Sequence, residues 1–239
     1  MFRKIIFTLF LSLFGLIPFS CEELESLGLT ETEIIGGLKE ALSIGANTAG
    51  SKLSITDGYF ADQAVKILLP PEAKPILDNI SLIPGGQTLV NEVVLKLNRG
   101  AEKAATKAAP IFLDAITGMT VTDGLSILKG SDTAATSYLK SKTTTQLTNA
   151  FAPEINAAMD EVGAATVWNA LFSNYNQYAN SFAGQLLGLQ PVTTDLGTYA
   201  TEKALKGLFL KVADQEILIR KDPVQRTSEL LKKVFKEQD

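Results

Sequence analysis

The chain has 239 residues, 46% of them hydrophobic, with 22 basic and 26 acidic side chains, a net charge of −4, one cysteine and no histidine. Without histidine, Ser-His-Asp and Cys-His catalysis, histidine-ligated zinc and histidine-held haem are all excluded. The acidic balance and the lack of any basic block argue against nucleic acid as a partner, and a lone thiol closes no intrachain disulfide.

The chain opens on Met1-Phe2-Arg3-Lys4, a basic start, followed by an almost wholly apolar run over residues 5–19. Those 15 residues fall short of the ~20 that a spanning helix needs and fit the apolar region of an export signal. The run ends in Ser20-Cys21-Glu22-Glu23. Residues 1–20 therefore read as a lipoprotein-type signal peptide, with Cys21 as the lipidated residue. Pro18 and Phe19 depart from the usual pattern of such a site, so a plain signal peptide and an uncleaved anchor are the alternatives. Cleavage before Cys21 leaves 20 basic and 26 acidic residues, a net charge of −6. The expected product is exported and held on a membrane of the bacterial envelope by its lipid. The leaflet stays open.

Residues 21–29 read as a linker and residues 30–239 as a helical domain. Thr30 and Glu33 have capping-box spacing, and Ile34, Leu38, Leu42 and Ala46 then fall on one helical face. Thr56-Asp57-Gly58-Tyr59 is a turn, Pro70-Pro71 a break, residues 74–79 a short helix and Pro84-Gly85-Gly86 a second break. The longest regular stretch is expected from about Gln87, with Leu89, Val93, Leu97, Ala101, Ala104 and Ala108 recurring at helical spacing. Pro110 opens a segment over 111–119, and Thr122-Asp123 and Ser131-Asp132-Thr133 read as caps around a short helix. A polar helix is expected over 133–149 and another from Pro153 to about Phe182, carrying an aromatic stripe of Trp168, Phe172, Tyr175 and Tyr178. Asp195 caps a long helix, and Pro223 starts the last one. The fold class is all-α: a single multi-helix bundle of roughly eight or nine helices after the N-terminal signal segment.

Few residues offer chemistry. Asn98, Arg99 and Glu102 share one helix face, where an Arg–Glu pair either orients a ligand carboxylate or phosphate or sets helix register. Glu216 and Arg220 form an i, i+4 pair that, if buried, is expected to cross-link to the 98–102 segment. Gly130-Ser131-Asp132-Thr133 enters a helix but lacks the phosphate-loop lysine, so capping by Ser131 or Asp132 is the expected role. Asp114 and Asp123 lack calcium-loop spacing. No metal and no cofactor are expected.

Several blocks carry a family resemblance: 37–42, Asp57-Gly58-Tyr59, the long block from Leu97 to Thr120, 127–130 with 134–138, 203–209 and 219–223. Across about residues 27–236 the chain resembles the bacterial family catalogued as domain of unknown function 4197. The resemblance implies an all-helical, often exported or lipid-anchored protein, and it assigns no catalytic residue. Gly100 stands where the pattern leads one to expect alanine, a departure expected to loosen that helix. The function expected is that of a lipid-anchored, non-enzymatic binding or structural protein whose partner is an apolar ligand or another envelope protein. The alternative is an envelope enzyme using carboxylate and lysine chemistry, with Arg99, Glu102 and Glu216 at its centre.

Overall fold

Thr30 starts the first helix as the sequence predicts: its hydroxyl accepts from the Glu33 amide, and the Glu33 carboxylate accepts from the Thr30 amide at 2.8 Å. The computed structural model describes residues 30–78, 86–161, 163–186, 188–189, 191 and 195–236. The expected signal segment over 1–20, Cys21 and the expected linker lie outside the described residues.

Among the described residues ten α-helices follow in order: α1 (Glu31–Ser54), α2 (Lys74–Asp78), α3 (Gly86–Ala105), α4 (Ala108–Thr117), α5 (Val121–Leu128), α6 (Ala134–Asp160), α7 (Ala164–Ala179), α8 (Phe182–Leu186), α9 (Leu196–Lys221) and α10 (Glu229–Phe235). Seven of them have eight residues or more, fewer than the eight or nine expected, and no strand occurs among the described residues. α6 lies at the centre, against α3, α4 and α9, while α1 packs against α9, α10, α4 and α5. Leu38, Leu53, Leu97, Phe112, Leu139, Leu147, Phe151 and Leu208 are buried where these helices meet. Each such side chain contributes about 1.5–3 kcal/mol by leaving water. Phe112 and Phe209 meet edge to face with centroids 5.9 Å apart.

The largest displaced boundary lies at Pro153: α6 runs unbroken through it and is, at 27 residues, the longest helix described. A mid-helix proline removes one hydrogen bond and costs ~3 kcal/mol. Phe151 and Ile155, fully buried on either side, offset that cost by anchoring both halves in the same core. The helix stops instead near Gly163, whose φ of 64° suits a residue without a side chain. Tertiary burial thus outweighs the local breaker, and the lone glycine ends what the proline does not.

Two further boundaries move. The cap of α5 is Thr120, which forms a capping box with Asp123, rather than Thr122-Asp123. Pro223 opens only a single 3-10 turn, Pro223–Gln225, and Ser228 caps α10. The prolyl ring has φ preset for a first turn, but the hydroxyl that accepts the Leu231 amide at 3.1 Å sits at Ser228.

Gly100 tightens the bundle instead of loosening it. A Cβ there would lie 2.9 Å from the Ile155 Cα and 3.1 Å from the Ala158 Cβ. The missing methyl lets α3 and α6 approach closely, and Lys103 clamps the same seam through Glu154 at 2.9 Å. Helix propensity favours alanine by about 1 kcal/mol, but a clash with helix backbone outweighs it. No single helix among the described residues is long and apolar enough to cross a membrane.

Candidate functional site

Residues 55–70 connect α1 to the first proline break without forming a helix, so their backbone needs partners from elsewhere. α3 supplies them. The Asn98 side chain, fully buried, accepts from the Ile67 amide at 2.8 Å and donates to the Ile67 carbonyl at 2.8 Å. Glu102 Oε1 accepts from the amides of Tyr59 at 3.2 Å and Phe60 at 3.1 Å. Its Oε2 accepts from Arg99 at 2.6 Å, and Arg99 reaches on to Asp57 at 2.7 Å. Asp57 has a φ of 69°, a conformation that aspartate tolerates better than most residues. Tyr59 is wholly buried and donates to the Ala204 carbonyl at 2.8 Å. Burial, and then the Glu102 charge, push its phenol far above the usual range. The three predicted residues do share a face, and what they hold there is the 55–70 strap.

Glu216 and Arg220 are also buried, at 8% and 4% exposure. Glu216 accepts from the amides of Ala135 at 2.9 Å and Thr136 at 2.7 Å, and from the Thr136 hydroxyl at 2.8 Å. These are free donors of the first turn of α6, whose own N-cap, Thr133, makes no side-chain cap bond. Neither Ser131 nor Asp132 caps this helix, because the distant carboxylate already occupies its N-terminus; Asp132 pairs with Lys221 instead. Arg220 Nε donates to Glu216 at 3.0 Å, and its Nη2 donates to the Ile127 carbonyl at 2.8 Å, at the C-terminal end of α5. One ion pair thus closes the end of α5 and the start of α6. Its bonds run to residues 127–136 and not to 98–102, so the expected cross-link is replaced by a separate staple.

Arg226 was not singled out by the sequence and is, among the described residues, the largest fully buried side chain. It donates to the carbonyls of Ile219 at 3.0 Å and Arg220 at 2.8 Å, closing the C-terminus of α9. The Phe235 ring lies 5.9 Å from its guanidinium and 5.8 Å from that of Arg220. The available signal was a cation just beyond a helix that ends at Asp222-Pro223.

Chemically, both buried acids are occupied. A general acid or base needs an oxygen facing substrate, whereas Glu102 and Glu216 direct both oxygens at amides, a hydroxyl and guanidinium groups. Arg99 and Glu102 belong to one network and Glu216 to another. No cluster of three or more potential metal-ligating side chains occurs among the described residues. Trp168 is buried, while the side chains of Phe172, Tyr175 and Tyr178 lie outside the described residues.

Among the described residues, two concavities bear on binding. A narrow apolar cleft between α1 and α9, beside Glu216 and Arg220, offers about 20 Å³, room for about one water. A groove of about 480 Å³ opens between the strap, α6 and α9. Lys66, Lys140, Lys203 and Lys206 line it over a floor that includes Val65, Phe209 and Leu210, and no carboxylate lines it. The sequence did not reveal it, since the lysines come from three separate segments. Asp62, beside the groove, is turned to Lys211 at 2.7 Å, which holds its carboxyl below the usual range.

No curated protein and no solved structure matches the chain. The family model described as protein of unknown function DUF4197 matches residues 28–236, nearly its whole length, and the chain belongs to that family.

Proposed function

We propose that this is a lipid-anchored binding protein of the bacterial envelope, working by holding a ligand or partner and not by catalysis. One observation carries the reading: the buried carboxylates that would have to do the chemistry are consumed by backbone amides and guanidinium groups. The leader ending at Cys21 supports the anchor. The cleft beside Glu216 is far too small for a lipid chain, which favours a ligand taken at the surface over an apolar one carried inside. The groove between α6 and α9 is the concave surface that best suits such a ligand.

Glu102→Gln separates binding from catalysis. The amide keeps an acceptor for Tyr59 and Phe60 but turns donors toward Arg99, so the variant is expected to lose about 1–3 kcal/mol in urea denaturation. A catalytic carboxylate behaves oppositely. Neutralising it leaves stability unchanged or raises it, and that result would count for the enzyme alternative.

A further inference from the structure

The lysine-lined groove has chemistry that the family assignment does not explain. In a chain of net charge −4, four lysines converge on one concave surface with no carboxylate among its lining residues. Neighbouring acids are directed elsewhere: Asp62 to Lys211, Asp132 to Lys221, and Glu216 to the start of α6. The Lys66 ammonium lies 3.9 Å from the centre of the Phe60 ring and that of Lys203 5.3 Å from the centre of the Tyr199 ring, and lysines lining one cavity repel one another unless an anion joins them. Lysine is a point-charge donor suited to phosphate.

The rest of the groove specifies more than charge. Lys203, Lys206 and Leu210 lie on one face of α9, at i, i+3 and i+7, and Ser137 and Lys140 lie on one face of α6, next to its N-cap Thr133. Rigid helices therefore fix both walls. Val65 and Phe209 contribute to an apolar floor, and Leu210 is left 41% exposed. A bare inorganic anion would not cover that floor. The volume of about 480 Å³ falls among pockets that take small organic ligands, about 300–1,000 Å³.

We propose that this groove binds an organic phosphate: a phosphate group held by Lys140 and Lys206, with Lys66 and Lys203 adding positive charge beside them, joined to an apolar body lying on Val65, Phe209 and Leu210. The inference rests on the binding-protein reading but not on the lipid anchor. The phosphate belongs either to a soluble ester or to a lipid headgroup.

The test titrates the full chain, in neutral-detergent micelles, with 1-naphthyl phosphate, with dihexanoyl phosphatidic acid and with uncharged 1-naphthol, by calorimetry. Saturable binding of 1-naphthyl phosphate alone supports a soluble ester, and binding of the phosphatidic acid alone supports a headgroup; binding of both supports the site for either. In each case Lys140→Glu/Lys206→Glu is expected to weaken binding about tenfold or more with an unchanged thermal midpoint. Should that pair unfold, Lys203→Gln serves as the second variant, with a smaller loss in the same direction. No saturable binding of either phosphate, equal binding of 1-naphthol, or binding indifferent to the lysines overturns the proposal. Such a failure removes this ligand alone, because the anchor is read by mass and the role of the carboxylates by stability.

Discussion

Glu216→Ala is expected to destabilise the domain by about 3–5 kcal/mol, the cost typical of leaving one partner of a buried ion pair alone. Three losses coincide. The Ala135 and Thr136 amides lose their acceptor, Arg220 keeps its charge at 4% exposure without its carboxylate, and the α5–α6 junction loses its staple. Urea denaturation reads the loss as a lowered midpoint. Removing Arg220 as well should cost less than the sum of the two single changes, since the second deletion relieves the stranded charge. A midpoint within about 0.5 kcal/mol of the parent, the range of an ordinary surface substitution, would mean that the pair does not hold this junction.

Asn98→Ala is expected to cost about 3 kcal/mol. It strands the Ile67 N–H and C=O in a buried site, each at ~1–3 kcal/mol, and removes packing volume besides. The effect should be local as well as global: the Ile67 amide exchanges hydrogen faster than in the parent, while the amides of α1 do so only through global unfolding. Asn98→Asp keeps the acceptor for the Ile67 amide but turns a carboxylate oxygen toward the Ile67 and Val94 carbonyls in a buried site, so it is expected to cost at least as much as alanine. Unchanged exchange at Ile67 would show that the strap is held by other contacts.

Helix identity was legible in the sequence wherever local chemistry decides it. Thr30 with Glu33, and Asp195 with the amides of Gly197 and Thr198, are caps readable from spacing alone. The buried face through Ile34, Leu38, Leu42 and Ala46 follows from a 3.6-residue period. What failed to show are features fixed by distant partners. The start of α6 was legible near residue 133, but its passage through Pro153, which rests on burial, and its N-terminal acceptor Glu216, about 80 residues away, were not. Gly100 looks like a weak helix residue until Ile155 is seen against it.

The polar residues divide in the same way. Spacing put Asn98, Arg99 and Glu102 on one face and paired Glu216 with Arg220, but it could not say what they faced. Their targets, the strap backbone at Tyr59, Phe60 and Ile67 and the α5–α6 junction, exist only once the chain is folded. The same holds for the groove, whose lysines are 63 residues apart between Lys140 and Lys203 and meet only across α6 and α9.

The most direct test of the anchored binding protein is the intact mass of the chain purified from the membranes of its own host. The account predicts a protein beginning at Cys21 that carries added acyl mass. A chain cleaved elsewhere without acyl groups, or one still holding residues 1–20, would contradict it.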